Sequence, residues 1–131
     1  MIFTERLNKA IIAELLRQLV PQAEQDIAQL DYNTDPMGTV LGLEVVAVDG
    51  DKVKERFEMD FVEGGNDQRY GFIPPKTVWV DNRLDKEDWR YIILHETVER
   101  TLMKYLGLTY DQAHEIANWE ERKDRRQATA E

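Results

Sequence analysis

The stretch from Tyr91 to Glu120, YIILHETVERTLMKYLGLTYDQAHEIANWE, constrains the fold more than any other part of the chain. It reads as two helices joined at Leu106-Gly107-Leu108-Thr109, where a glycine stop signal precedes an N-cap residue. Thr109-x-x-Gln112 has the pattern of a capping box for the second helix. The chain has two histidines, His95 and His114, and both lie on this hairpin, each followed by a glutamate. At about 100° per residue, Tyr91, Ile92, Leu94, Val98, Leu102, Met103, Tyr105 and Leu106 fill one arc of the first helix, with His95 at its centre. Glu99 lies one turn on, about 40° away. Thr97, Arg100 and Lys104 fall on the opposite side, where water is expected. A carboxylate on a buried face is costly unless it is paired, hydrogen-bonded or bound to a metal. Glu99 therefore requires a compensating partner.

The string His95-Glu96-Thr97-Val98-Glu99 resembles the HExxH helix of the zincin metallopeptidases, in which two histidines one turn apart hold zinc and the glutamate between them acts as general base on the metal's water. Carried over, the resemblance implies that His95 is a metal ligand and Glu96 the catalytic base. Glu99 stands where the family has its second histidine. A carboxylate oxygen is an acceptable zinc ligand, but it makes the metal less electropositive and can favour a different divalent ion. The family's third ligand comes from downstream, and His114 on the second arm is the candidate here. At about 1.5 Å per residue, Glu99 and His114 sit nearly level across an antiparallel hairpin, with His95 one turn further from the loop. Tyr110, Ala113 and Ala117 share a face with His114, and the alanines permit close approach of the helices. A narrower resemblance covers Ile73 to Glu120. There a PP-x-TVWVD segment, an LHE-x-x-E helix and a G-x-x-Y-x-x-AHE-x-A helix are similar to small uncharacterised proteins of phages and bacteria, which carry no established activity.

Composition narrows the alternatives. At 131 residues, 42% hydrophobic and 33% charged, the chain reads as one globular domain, 1–131, with 121–131 a charged end expected to fray. A net charge of −9 argues against a general nucleic-acid binder, because phosphate contacts need clustered cations. The basic cluster at Arg122, Lys123, Arg125 and Arg126 reads as a solvated helix end suited to the dipole. With no cysteine, disulfides, a thiolate zinc site and a cysteine nucleophile are excluded. No apolar run approaches the roughly 20 residues of a membrane span, and no basic segment followed by an apolar one opens the chain, so cytoplasmic residence is expected.

Elsewhere the pattern predicts an α+β fold. Thr4 can cap a helix over about Glu5–Val20, with Leu7, Ala10, Ile11, Ala13, Leu15 and Leu19 as its apolar stripe. Pro21 is expected to break it, kink it or start a second helix, whose apolar face Ile27 and Leu30 continue. Asn33 to Gly38 reads as a turn. A strand over Val40–Val48, an Asp49-Gly50 hairpin turn and a return strand over Val53–Val62 would follow. Glu63 to Asp67 reads as a flexible loop without a phosphate-binding signature. Lys76–Asp81 reads as a third strand, at a sheet edge after the double proline. In zincins an edge strand near the metal helix pairs with the peptide substrate, and this one could play that part. Asp85 then caps the metal-motif helix, Lys86 to Leu106. The expected architecture is an N-terminal helical segment, a small, mostly antiparallel sheet and a C-terminal helical hairpin.

The functional expectation is a metal-dependent hydrolase acting on peptides, with His95, Glu99 and His114 holding a divalent ion such as zinc and Glu96 as base. The alternative is a non-catalytic interaction module, in which the same residues form a structural metal centre or a buried His/Glu polar network. A nuclease with acidic metal ligands fits less well, for want of a basic groove.

Overall fold

A computed structural model describes the backbone of residues 2–57 and 60–130 and the side chains of 9–57 and 60–129. The elements run α1 (Ile2–Ala28), β1 (Gly38–Val40), β2 (Leu43–Val48), α2 (Gly50–Arg56), β3 (Gly64–Asn66), β4 (Thr77–Asp81), α3 (Lys86–Leu106) and α4 (Tyr110–Ala130). The four strands form one sheet in the order β1-β2-β4-β3. Its outer pairs are antiparallel and its central pair, β2 with β4, is parallel. The architecture is α+β, with the α3–α4 hairpin at its C-terminal end. No described helix is long and apolar enough to cross a membrane.

Helix α3 is the centre of the packing, touching α1, α4, β3 and β4. Ile93, Leu94, Val98 and Leu102 meet Val40, Val45 and Val80 from the sheet, Ala23 and Ile27 from α1, and Ala113 and Ala117 from α4. Burying a side chain such as Leu102 stabilises by about 1.5–3 kcal/mol, several times the helix-propensity deficit of a β-branched residue at ~0.5 kcal/mol. Packing thus holds Ile92, Ile93, Thr97, Val98 and Thr101 in a helix that their local preferences would not choose. The two buried alanines let α4 lie close against α3, and a second cluster of Val53, Phe61, Tyr70 and Ile73 packs apart from the main core. Around the hairpin the local signals act as read. Gly107 is left-handed at φ 66, the Thr109 hydroxyl accepts from Gln112 N at 3.2 Å, and Gln112 Oε1 accepts from Thr109 N at 3.0 Å.

Several expectations are corrected. The Val40–Val48 segment is a β1–β2 hairpin and not one strand: Leu41 and Gly42, at φ 49 and 77, make the positive-φ turn that fits a right-twisted ribbon. Asp49-Gly50 is not a hairpin turn. Asp49 caps α2, accepting from Asp51 N and Lys52 N at 3.0 and 3.3 Å, and the expected return strand starts as helix. Val53 can be buried from either conformation, so the alternation there did not discriminate. Glu58 and Met59 of that expected strand lie outside the described residues. Glu63–Asp67 is not a loose loop, since it contains the edge strand β3, and Lys76–Asp81 supplies an interior strand, β4.

Helix α1 is uninterrupted at Pro21. The proline is exposed, and burial of Ala23 and Ile27 beyond it offsets the ~3 kcal/mol cost of a proline in a helix. The packed stripe of α1 is Ile12, Leu15, Leu16, Val20, Ala23 and Ile27, while Ile11 is 46% exposed; Leu7's side chain lies outside the described residues. Thr97 and Arg100 are buried, not wet, because α3 is covered on nearly every side over Tyr91–Leu102. Residues 121–130, read as a fraying end, continue α4, and Arg125 reaches Asp88 and Glu121, each at 3.1 Å.

Candidate metal centre

The sequence fixes the side of α3 that carries the site. His95, Glu96 and Glu99 are 6%, 7% and 1% exposed, on the flank where α4 and β3 close over the helix. The capped link at Gly107–Thr109 turns α4 back so that His114 faces them, its side chain 40% exposed. His95 Nε2 lies 3.2 Å from Glu99 Oε2 and 3.3 Å from His114 Nδ1, and His114 Nδ1 lies 2.9 Å from the same Glu99 oxygen. One donor atom from each residue thus forms a nearly equilateral triangle. Donors at 2.0–2.1 Å from a tetrahedral ion stand about 3.3 Å apart, so a zinc-sized ion just above this triangle reaches all three. Hydrogen bonds satisfy the same triangle less well, because two imidazole nitrogens and a carboxylate oxygen meet pairwise without enough protons between them. Of the sequence-derived residues, His95, Glu99 and His114 come together as a group able to hold a metal ion.

Glu96 is one step outside the triangle, its Oε2 3.9 Å from His95 Nε2. Its other oxygen is held by a residue the sequence reading missed. Asn66, fully buried on β3, donates from Nδ2 to Glu96 Oε1 and to Glu99 Oε1, both at 3.1 Å. The Asn66 Oδ1 accepts in turn from Gln68 N at 2.9 Å and Arg69 N at 3.1 Å, which fixes which way the amide points. One amide therefore ties Glu96 to Glu99 and leaves the second oxygen of each turned toward the triangle. Asn66 gave little signal, sitting after two glycines in a segment that read as a loop.

The other missed residue is Glu121. Its Oε1 is 3.1 Å from His95 Nδ1, a close ionic contact without good hydrogen-bond alignment, since that nitrogen has no well-directed partner. A carboxylate behind the distal nitrogen of a metal-facing histidine is a common second layer of such sites and raises the ligand's basicity. Glu121 follows His114 by two helical turns, so its placement on the same face was legible, had α4 not been expected to fray.

The electrostatics suit a cation. Burial alone would lower the His95 imidazole, but Glu121, Glu99 and Glu96 outweigh it and hold it up at about 10. Burial, with Glu99 beside it, pushes the Glu96 carboxyl up to about 8. Burial also raises Glu121, but His95 and Arg125 outweigh it and hold that carboxyl below its ordinary value. The site opens into a cleft of about 410 Å³ walled by Val62, Gly64, Arg69, Tyr70, Ile92, Tyr110 and Asn118. A slightly larger depression, about 470 Å³, lies between α1 and α4 at Leu16, Val20 and Trp119 and does not contain the histidines. Compared with known protein families, curated proteins and solved structures, the chain matches none of them.

Proposed function

We propose that this protein is a metal-dependent hydrolase of zincin-like chemistry acting on peptides. His95, Glu99 and His114 hold a divalent ion, zinc by the donor set, and Glu96 is the base. The observation that carries the reading is the triangle of donor atoms at 2.9, 3.2 and 3.3 Å, open on one side to the cleft. An ion there would acidify water and polarise a carbonyl oxygen. Glu96 would take the proton of the attacking water, and a carboxyl raised by burial is better matched to proton transfer near neutrality than an ordinary one. Asn66 positions both carboxylates, and Glu121 orients His95. The edge beside this cleft is β3, not the strand the sequence pointed to, so an extended peptide would pair there if main-chain pairing is used.

The test is elemental analysis of wild type and His95→Ala after dialysis against metal-free buffer, followed by peptide hydrolysis with wild type and Glu96→Gln. About one ion per chain in the wild type, lost in His95→Ala, with turnover abolished in Glu96→Gln while metal is retained, is the expected result. No metal even after soaking in zinc would overturn the reading. Metal without turnover on any peptide would leave a structural metal centre in a binding module.

A further inference from the structure

The cleft over the metal centre carries one cationic side chain among its described lining residues apart from the histidines, and that residue is Arg69. Its backbone N–H is held by Asn66, through Oδ1 at 3.1 Å and the carbonyl oxygen at 3.2 Å. Its guanidinium carbon lies 4.1 Å from the Tyr110 ring centre and 5.0 Å from that of Tyr70. Tyr110 stacks in turn on His114, with centroids 5.1 Å apart and planes 29° from parallel. The cation is therefore one aromatic ring away from a metal-binding imidazole, on a segment anchored by the same asparagine that holds the base.

Arg83, Arg100 and Arg125 each face a carboxylate in an ion pair. Arg69 makes no such pair with any described residue, and its Nε is buried without an acceptor. A partly desolvated guanidinium without a counter-charge is unfavourable, and stacking on two rings offsets only part of that cost. The planar fork is suited to a carboxylate, which it can grip through two parallel hydrogen bonds. The acidic groups around the cleft, among them Asp60, Glu63 and Glu121, would repel the same anion, so it has one place to settle besides the metal.

We infer that Arg69 binds a carboxylate of the substrate and so sets its class: peptides carrying a carboxylate close to the bond presented to the metal centre. This rests on the hydrolase reading above. The carboxylate can be a chain-terminal one or the side chain of an acidic residue, and both have the chemistry the fork recognises.

The experiment is calorimetric titration of the zinc-loaded full chain, with zinc per chain measured alongside. Three probes are used: N-acetyl-trialanine, its C-terminal amide, and N-acetyl-Ala-Glu-Ala amide. Wild type is expected to bind the free acid at least tenfold more tightly than the trialanine amide. Arg69→Gln should remove that preference, Arg69→Lys should retain part of it, and zinc content should not change in either. Preferential binding of the glutamate-containing amide, again lost in Arg69→Gln, would assign the site to an acidic side chain. Equal affinity of wild type for acid and both amides, or affinities unchanged in a zinc-loaded Arg69→Gln, overturns the inference. If Arg69→Gln does not fold, Arg69→Lys decides: a preference for the free acid that falls in part supports the inference, and one that is unchanged overturns it. A chain that takes up no zinc yet still shows Arg69-dependent binding overturns the hydrolase reading and leaves the anion site standing.

Discussion

His95 Nε2 on α3 and His114 Nδ1 on α4 stand 3.3 Å apart, brought together by a hairpin whose turn is closed by a left-handed glycine and a reciprocal cap. The contact depends on Ala113 and Ala117, which are fully buried and small enough to let the helices approach. Larger residues there would separate the axes beyond the usual 8–10 Å and pull the imidazole nitrogens apart. The site's geometry is thus a consequence of core packing, and its chemistry is reached from side chains that also fill the core.

Glu121→Gln is expected to weaken metal binding by about 10–100-fold, the usual effect of losing a carboxylate behind a ligating histidine. The amide removes the charge beside His95 Nδ1 and keeps the shape. Arg125→Gln, which removes the partner 3.1 Å from Glu121 on its outer side, should change affinity much less. Competition against a chelator of known affinity measures both, and equal effects of the two variants would show that Glu121 acts through helix stability rather than through His95.

Asn66→Ala is expected to cost about 1–3 kcal/mol of stability in metal-free protein, the price of buried polar groups left without a partner. Two carboxylate oxygens lose their donor and Gln68 N loses its acceptor, while Arg69 N keeps the backbone carbonyl oxygen of the same residue. Urea unfolding gives the stability and chelator competition the metal affinity, which should fall as well because Glu99 is no longer oriented. Unchanged affinity alongside the lost stability would restrict Asn66 to a structural role.

The parts of this fold legible in the sequence were those with a local cause. Gly107 and the Thr109–Gln112 pair close α3 and open α4 through backbone chemistry that neighbours in sequence supply. Asp85 stands at the N-cap of α3 without a capping bond from its side chain, and the apolar arc around His95 located the candidate ligands. What could not be read depends on partners distant in sequence. Thr97 and Arg100 fall on the polar side of the wheel, yet α1 covers the first and Asp67 pairs with the second. Gly64–Asn66 has almost no side-chain pattern, and its strand exists because β4 offers an edge and α3 leaves room for bare backbone. Val53–Phe57 alternates convincingly, but Asp49 captures the amides that start a helix. His95, Glu96 and Glu99 were visible at α3, whereas the residues that contact them, Asn66 and Glu121, come from β3 and the end of α4.

Arg100→Met is expected to destabilise by about 3 kcal/mol or more at pH 7, since it strands a buried carboxylate. Asp67 receives Arg100 Nε at 2.8 Å and Nη2 at 3.3 Å, and the two side chains are 7% and 5% exposed. Burial raises the Asp67 carboxyl, but Arg100 and the Lys76 amide outweigh it and hold it below its ordinary value. A depressed carboxyl contributes stability that is present in full above its unfolded pKa, about 3.9, and is lost as pH falls through the lower folded value. Wild type should therefore lose this contribution only below about pH 4, whereas the gap to Arg100→Met should begin to narrow at higher pH, because the stranded carboxyl, raised by burial without its arginine, takes up its proton first. Urea unfolding at pH 7, 4 and 3 tests this; a gap independent of pH would assign the loss to packing of the arginine stem.

Gly64→Ala probes how closely β3 must approach the face of α3 that carries Ile92 and Glu96. A Cβ built at Gly64 lies 2.7 Å from the Trp79 carbonyl oxygen, 2.9 Å from Ile92 Cγ2 and 3.5 Å from Glu96 Cγ. The carbonyl belongs to backbone in the middle of the sheet and cannot yield as a side chain would, so β3 must move outward. Overpacking of this kind costs about 1–3 kcal/mol, and the same shift carries Asn66 away from Glu96 and Glu99. The expected result is a lowered unfolding midpoint together with weaker metal binding. Gly71→Ala, where nothing lies within 4 Å of the added carbon, should change neither. If Gly64→Ala lowers stability but leaves metal affinity at the wild-type value, the asparagine bridge tolerates displacement of its strand, and the ligands are positioned by the α3–α4 hairpin alone.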